Sequence, residues 1–202
     1  MSILTNLYAN APLAVLREYA TNARDSHVAA GSDRPIEVDL PTDLNPSLVV
    51  RDFGVGLSEQ EIINVYARYG ASTKRDTDDQ VGAFGLGCKS AFTLGQQFVV
   101  TAVKDGRRTV ALFALGADGA GGVTILNRAD TAEPNGVLIS IGVPDAAQMR
   151  RAATGFFNTW RPGTVHVDGQ EPSTVLPARS RSPTGCTCPR RATWSQPPGC
   201  TS

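Results

Sequence analysis

Six apolar runs of strand length lie between two helical segments in this chain. The runs occupy residues 36–40, 48–50, 97–104, 108–115, 123–126 and 137–143, and helical periodicity marks 11–30 and 146–160. Asp105-Gly106 between two of the runs is a strong hairpin signal. The pattern predicts an α/β (α+β) two-layer sandwich, with helices on one face of a mixed, mostly antiparallel sheet.

The segment 11–30 combines an apolar stripe with a polar face. The stripe consists of Leu13, Leu16, Ala20 and Ala23. Glu18, Asn22 and Asp25 follow i, i+4, i+7 spacing, which puts them on one helical face. A carboxylate can take a proton from water, and an amide oxygen suits Mg²⁺. The alternative is a solvated polar face without chemistry.

A second motif, Asp52-Phe53-Gly54-Val55-Gly56, directly follows the 48–50 strand. An aspartate at a strand end can accept a hydrogen bond from the exocyclic amine of a ligand. Gly54 and Gly56 let the backbone turn tightly and come close to a planar ring. The alternative is an ordinary strand-to-helix turn. Ser58 and Glu61 have the spacing of a capping box, which predicts a helix over 59–68.

The third motif is the glycine-rich stretch 82–92, GAFGLGCKSAF, before a predicted helix near 87–94. Backbone N–H groups and the helix dipole at such a start can bind phosphate, and Lys89 adds a cation. The stretch is not a Walker A loop, because Cys88 separates Gly87 from Lys89. It is not a dinucleotide fingerprint either, because its spacing is GxxGxG.

In this order the three motifs resemble the ATPase superfamily of gyrase, heat-shock protein 90, histidine kinases and mismatch-repair proteins (GHKL), over about residues 10–143. The resemblance implies a Bergerat-type ATP-binding fold with ATP and Mg²⁺ as cofactors. It implies that Glu18 is the general base of ATP hydrolysis and Asn22 the Mg²⁺ ligand. Asp25 is then the third acid of that helix, and Asp52 receives the adenine amino group.

The resemblance also implies roles for the glycines and lysines. Gly54 and Gly56 form the adenine-side turn, and residues 71–81 form a lid. The phosphate-side residues are Gly82, Gly85, Leu86 and Gly87, with Lys74 and Lys89 as candidate phosphate contacts. Within the superfamily, residues 69–75 and 82–92 are similar to the rIIA-type proteins of tailed phages, which are linked to lysis timing and to protection against prophage exclusion.

Two departures from the superfamily pattern bear on turnover. Val137 stands where members often place a threonine, so a hydroxyl near adenine is missing. After 146–160 the chain shows only the start of a further unit, so a basic residue from a following domain is not evident. ATP binding is therefore predicted more firmly than hydrolysis. The alternatives are a non-hydrolysing nucleotide switch and a truncated interaction protein. His27 and His166 do not resemble phospho-accepting histidines.

Composition limits the remaining classes. The expected units are an ATP-binding domain over 1–145, a helix and truncated second unit over 146–176, and a disordered basic tail over 177–202. The tail holds four arginines and no acid, so the rest of this neutral chain carries about −4, which makes nucleic acid an improbable partner. No signal peptide or membrane span is predicted, which places the protein in the cytoplasm. A homodimer through the lid and a further protein partner are expected.

Overall fold

The computed structural model describes residues 10–64, 90–117 and 121–173. Two long helices are α1, Ala11–Ala30, and α2, Ala146–Phe157, and a shorter helical segment lies at 59–64. The strands are β1 Ile36–Asp39, β2 Ser47–Arg51, β3 Gln97–Lys104, β4 Arg107–Leu115, β5 Gly121–Asp130, β6 Gly136–Gly142 and β7 Val165–Val167.

The strands form one seven-stranded sheet in the order β5-β4-β3-β6-β2-β1-β7. All neighbouring strands pair antiparallel except β1 and β7, which pair parallel. The predicted α/β sandwich with a mixed, mostly antiparallel sheet is thereby confirmed. Strand β2 alternates between inward and outward residues, with Leu48 and Val50 buried and Val49 half-buried.

The β3–β4 hairpin turns where the sequence predicted it. Asp105 and Gly106 both have positive φ, 51° and 76°, which is the conformation that a two-residue type I′ turn requires. Asn135 accepts a hydrogen bond from the Asp105 N–H through its Oδ1 at 2.9 Å. The turn therefore fixes the register of β3 and β4, from Gln97 opposite Ala114 to Lys104 opposite Arg107.

Helix α1 begins and ends at the residues predicted. Asn10 caps its first turn by accepting from the Leu13 N–H at 3.4 Å, and Gly31 ends it in the left-handed conformation, with φ 64°. Its buried side chains join the strands in one hydrophobic core, in which Leu16, Leu48 and Ile141 are fully buried. The helix is thus fixed over the sheet, which positions its polar face.

The 59–64 segment begins with the predicted capping box. The Glu61 N–H donates to Ser58 Oγ at 3.3 Å, and the Ser58 N–H donates to Glu61 Oε2 at 2.7 Å. Two ion pairs tie the segment to the sheet, from Lys104 to Glu61 and from Arg128 to Glu59. The remainder of the predicted helix, 65–68, lies outside the described residues.

Two predicted elements were wrong by more than one residue at an end. Strand β5 is longer than the predicted 123–126, because β4 offers backbone partners along its whole length, out to Arg107 opposite Asp130. Helix α2 ends at Phe157 and not at Trp160. There the Trp160 N–H donates to the Phe157 carbonyl at 3.0 Å in a tighter turn, and Pro162 follows.

Residues 146–173 share the core and the sheet of the preceding residues. Met149, Ala153 and Phe157 of α2 are buried in the same hydrophobic cluster as α1. Arg150 pairs with Asp168 at 2.7 Å, and Asp168 in turn accepts from the Leu40 N–H at 2.8 Å. The predicted division of the chain at 145 and 176 stays a prediction about folding units, and its first boundary falls between two elements of one core.

Candidate functional site

A pocket opens between α1, the loop after β2, and the inward faces of β3, β4 and β6. Most of its wall is apolar, and among the described residues its polar side chains come from α1 and from the loop after β2. The lining residues are Tyr19, Asn22, Ala23, Ser26, Val50, Asp52, Gly56, Leu57, Ile62, Phe98, Val100, Phe113, Val137 and Ile139. An apolar cleft with a few fixed polar groups is the usual form of a small-molecule site.

Asp52 is the buried acid of this pocket, with 7% of its surface exposed. Its Oδ1 accepts from the Gly54 N–H at 2.9 Å and from the Ser26 hydroxyl at 3.3 Å. Burial raises the pKa of Asp52 to about 6, although these donors and the backbone of Val137 act in the opposite direction. At neutral pH the side chain is therefore a carboxylate held in place as a hydrogen-bond acceptor.

Backbone contacts at the loop after β2 require glycine. A Cβ on Gly54 would lie 2.1 Å from Ser26 Oγ, and a Cβ on Gly56 would lie 1.9 Å from the Val103 carbonyl oxygen. Gly56 also has φ 68°, and Gly136, at the start of β6, would place a Cβ 2.1 Å from the Asp52 carbonyl oxygen. The glycines thus bring α1, β3 and β6 against the loop that carries Asp52.

His27 and Phe53 anchor the same loop from behind. The Phe53 N–H donates to His27 Nε2 at 2.7 Å, so the ring is neutral, and burial lowers the pKa of His27. The Arg34 guanidinium lies 3.4 Å from the centre of the Phe53 ring and that of Arg51 lies 4.7 Å from it. The inference that His27 is structural and not a phospho-acceptor agrees with this contact.

Glu18 and Asn22 lie side by side on α1, and both are half-buried. Asn22 Nδ2 donates to Glu18 Oε1 at 3.1 Å. This bond uses the amide nitrogen, so Asn22 directs its oxygen elsewhere and can ligate a cation, while Asn22 also lines the pocket. Asp25 is exposed, pairs with Arg24 at 3.4 Å and is not among the pocket-lining residues.

The donor set fits a Mg²⁺ ion that is held mostly by phosphates and water. The described residues contain no group of three His, Cys, Asp or Glu side chains suited to a metal. Mg²⁺ in nucleotide sites is commonly held by one or two protein oxygens plus substrate phosphates. Asn22, with Glu18 beside it, matches that limited contribution.

The residues predicted to contact the phosphates lie between 65 and 89, which the structure does not describe. Lys74, the lid 71–81, and the loop residues Gly82, Gly85, Leu86, Gly87 and Lys89 lie outside the described residues, so their placement stays a prediction. The described chain resumes at Ser90, and both Ser90 and Ala91 are buried.

Sequence reasoning missed Ser26. Its hydroxyl donates to Asp52 and accepts from the Val55 N–H at 3.1 Å, so one side chain joins α1 to the loop after β2. The available signal was its position, four residues after Asn22 on the polar side of α1. Val137 lines the pocket as predicted and brings no hydroxyl to it.

The sheet, the helix layer and the buried aspartate beside glycine turns define a two-layer α/β nucleotide-binding domain. Residues 11–132 match the family model described as histidine kinase-, DNA gyrase B-, and HSP90-like ATPase, and the chain belongs to this family. A search of curated proteins finds no match. Membership supports ATP as the ligand of the pocket. In the described ranges, no helix has the length and hydrophobicity that crossing a bilayer requires.

Proposed function

We propose that the chain is a Mg²⁺-dependent ATP-binding module, with Asp52 as the acceptor for the adenine amino group. The observation that carries this proposal is the fixed, buried carboxylate of Asp52 at the wall of an apolar pocket. An aromatic base can fill the space lined by Phe98, Val100 and Ile139, and its amine can donate to the carboxylate.

The proposed catalytic part of the module is slow hydrolysis. Glu18 takes a proton from the attacking water, and its hydrogen bond to Asn22 orients it. Mg²⁺, when bound, reduces the negative charge of the phosphates, and Asn22 contributes an oxygen ligand to it. Gly54 and Gly56 hold the loop on the adenine side. Lys74, Lys89 and residues 82–87 are proposed to contact the phosphates.

Calorimetric titration of Mg-ATP into the 202-residue chain tests binding. We expect wild-type binding and its loss in Asp52→Ala, since the adenine amine then has no acceptor. Asp39→Ala is the matched control, because Asp39 also ends a strand but is exposed. Circular dichroism melting of both variants separates a lost acceptor from a lost fold. Wild-type chain that melts cooperatively and binds no ATP contradicts the proposal.

A second candidate is a nucleotide switch that binds ATP without hydrolysing it. Val137 favours it, because the pocket wall at this position supplies no hydroxyl to the ligand. Measurement of phosphate release separates the candidates. Saturable ATP binding with no release above the Glu18→Ala background supports the switch, and release that depends on Glu18 supports the ATPase.

The narrower role we propose is that of an rIIA-like phage protein acting in lysis timing or exclusion protection. It is supported by the similarity of residues 69–75 and 82–92 to that group. Complementation of a phage that lacks its own rIIA-type gene tests the role, with Asp52→Ala as the nucleotide-free control. Rescue by both forms alike argues against an ATP-dependent role, and rescue by neither argues against the phage assignment.

ATP-dependent dimerisation is measured by sedimentation with a non-hydrolysable ATP analogue.

A further inference from the structure

Helices α1 and α2 form a groove on the helical side of the domain, apart from the nucleotide pocket. Its walls come from the start of α1 and from the second half of α2 and the turn beyond. The lining residues are Asn10, Leu13, Arg17, Arg151, Ala152, Gly155, Phe156 and Thr159. The groove and the nucleotide pocket share no lining residue, although both adjoin α1.

The groove is basic, and within the described residues its two arginines have no acidic partner. Ten arginines lie within the described residues, and six of them pair with a carboxylate, namely Arg24, Arg51, Arg107, Arg108, Arg128 and Arg150. Arg34 lies on the Phe53 ring. Two of the remaining three, Arg17 and Arg151, line this one groove, and none of its described lining residues is acidic.

The floor between the two arginines is apolar. Leu13, Ala152 and Phe156 are half-buried, so each leaves part of its surface in the groove. Phe156 is supported from behind by Phe157 at 4.9 Å and Trp160 at 5.5 Å between ring centres, in edge-to-face contacts. Aromatic side chains and arginines are the residue types most enriched at the centres of protein interfaces.

Gly155 is the second signal. It lies inside α2, where glycine costs roughly 1 kcal/mol relative to alanine. A Cβ at Gly155 would meet no atom within 4 Å, so packing within the described structure does not require glycine here. Gly54, Gly56 and Gly136, by contrast, are forced by contacts of 2.1 Å or less. A glycine that the fold itself does not need, at the wall of a groove, permits close approach by another chain.

We propose that this α1–α2 groove is a docking site for an acidic, amphipathic segment of a partner protein. Carboxylates of the segment pair with Arg17 and Arg151, and an apolar side chain packs between Leu13 and Phe156. The partner backbone passes over Gly155. The chain's own ends do not supply this chemistry, because residues 1–9 contain no Asp or Glu and residues 179–202 carry four arginines and no acid.

Fluorescence anisotropy with the full chain tests the site. The probe is a labelled amphipathic peptide with glutamates on one face and leucine and phenylalanine on the other, and a second peptide has lysine for every glutamate. We expect saturable binding of the acidic peptide alone, weakened at least about tenfold by Arg17→Glu with Arg151→Glu. Arg107→Glu is the matched control, since Arg107 is exposed and lies across the sheet on β4.

Gly155 gives an independent readout. Gly155→Ala is expected to raise the melting temperature, because alanine favours the helix and meets open space, while it lowers peptide affinity. A merely structural role for Gly155 would move stability and affinity in the same direction. Equal binding of both peptides, no binding of the acidic one, or an equal loss in Arg107→Glu would overturn the proposal.

Two other occupants of the α1–α2 groove would give different experimental results. If residues 1–9 cover the groove, Ile3→Ser with Leu4→Ser raises the affinity for the peptide. If a second copy covers it, sedimentation shows a dimer that the double arginine variant abolishes. Either result overturns the assignment to a partner segment. Failure of the chain to bind ATP leaves all these measurements unaffected.

Discussion

Asp52 is buried and accepts hydrogen bonds from Gly54 and from Ser26, whereas Glu18 is half-buried and accepts from Asn22 of its own helix. The adenine side of the proposed site is thus built by contacts between α1, β2 and β6. The water-activating side rests on one turn of α1. The difference indicates that the proposed adenine side is formed with the fold, whereas in the described residues one side-chain hydrogen bond holds the proposed base.

Glu18→Gln is expected to give the largest difference between an effect on phosphate release and an effect on ATP affinity. We expect phosphate release to fall at least about 100-fold, because general base catalysis contributes about that much or more. Affinity for Mg-ATP is expected to stay within about twofold, since the substitution keeps the size and one acceptor oxygen. Steady-state phosphate release and calorimetry measure the two quantities.

Glu37→Gln is the control for Glu18→Gln. Glu37 is half-buried on β1, and its closest cation is Arg51 at 4.0 Å, outside the pocket-lining residues. Unchanged turnover in Glu18→Gln would remove Glu18 as the base. A parallel loss of affinity would show that the two sides are not separable.

Gly56→Ala tests whether the adenine side is formed without ligand. The added Cβ meets the Val103 carbonyl oxygen at 1.9 Å in a backbone conformation with φ 68°. We expect a loss of about 3 kcal/mol in the free energy of unfolding, measured by urea denaturation in the absence of nucleotide. Gly142→Ala is the control, since its Cβ would meet no atom within 4 Å, and its expected change is within about 0.5 kcal/mol. Equal changes in both would mean that the loop is not packed before ATP binds.

The pKa of Asp52 predicts how binding depends on pH. In the proposed complex the Asp52 carboxylate accepts from the ligand. Because the pKa of Asp52 is about 6, affinity is then expected to fall up to tenfold per unit below pH 6. Folding has the opposite dependence on this group. The folded chain holds a proton on Asp52 between about pH 4 and 6, where an unfolded aspartate has lost it, so this group adds stability as pH falls.

Asp52→Asn isolates that pH dependence. His27 acts in the other direction on stability, because burial lowers its pKa and the folded ring stays neutral where the unfolded chain takes up a proton. ATP affinities are measured by calorimetry at several pH values for the wild type and for Asp52→Asn. The difference between the two pH dependences is the contribution of the Asp52 carboxyl. A wild-type affinity that is constant from pH 7.5 to 5, like that of the variant, would exclude the carboxylate as the ligand's acceptor.

Local signals explain which parts of the fold could be predicted. The extent of α1 follows from its cap residues Asn10 and Gly31, and the β3–β4 hairpin follows from Asp105-Gly106, so neither depended on distant contacts. The pairing of β7 with β1 could not be predicted from local sequence signals. It brings Val165 opposite Ile36, across most of the domain sequence, and neither segment specifies its partner.

The same distinction applies to the site. Asp52 and Gly54 were predicted as site residues because an acid followed by glycines directly after a strand is a recognisable local sequence motif. Ser26 acts through Asp52 and Val55, on a loop far from it in sequence, so its place on the polar side of α1 did not show which groups its hydroxyl would bind. Helical spacing placed Asp25 on the same face as Glu18 and Asn22, but it could not show that Asp25 is exposed and pairs with Arg24.

Ser26→Ala is the smallest change and the most specific test of the adenine side. The variant removes a donor from Asp52 Oδ1 and the acceptor of the Val55 N–H, which is expected to lower the free energy of unfolding by about 1 kcal/mol. Because Asp52 is then held less firmly, ATP affinity is expected to fall by up to roughly fivefold. Since the Ser26 hydrogen bond lowers the pKa of Asp52, its loss is expected to shift the pH midpoint of ATP binding upward. Thr109→Val is the control, because Thr109 is buried but does not line the pocket. An unchanged midpoint, with the same stability loss as the control, would mean that Ser26 only packs. A raised midpoint would show that α1 sets the charge of Asp52, and thereby couples the helix that carries Glu18 to recognition of the base.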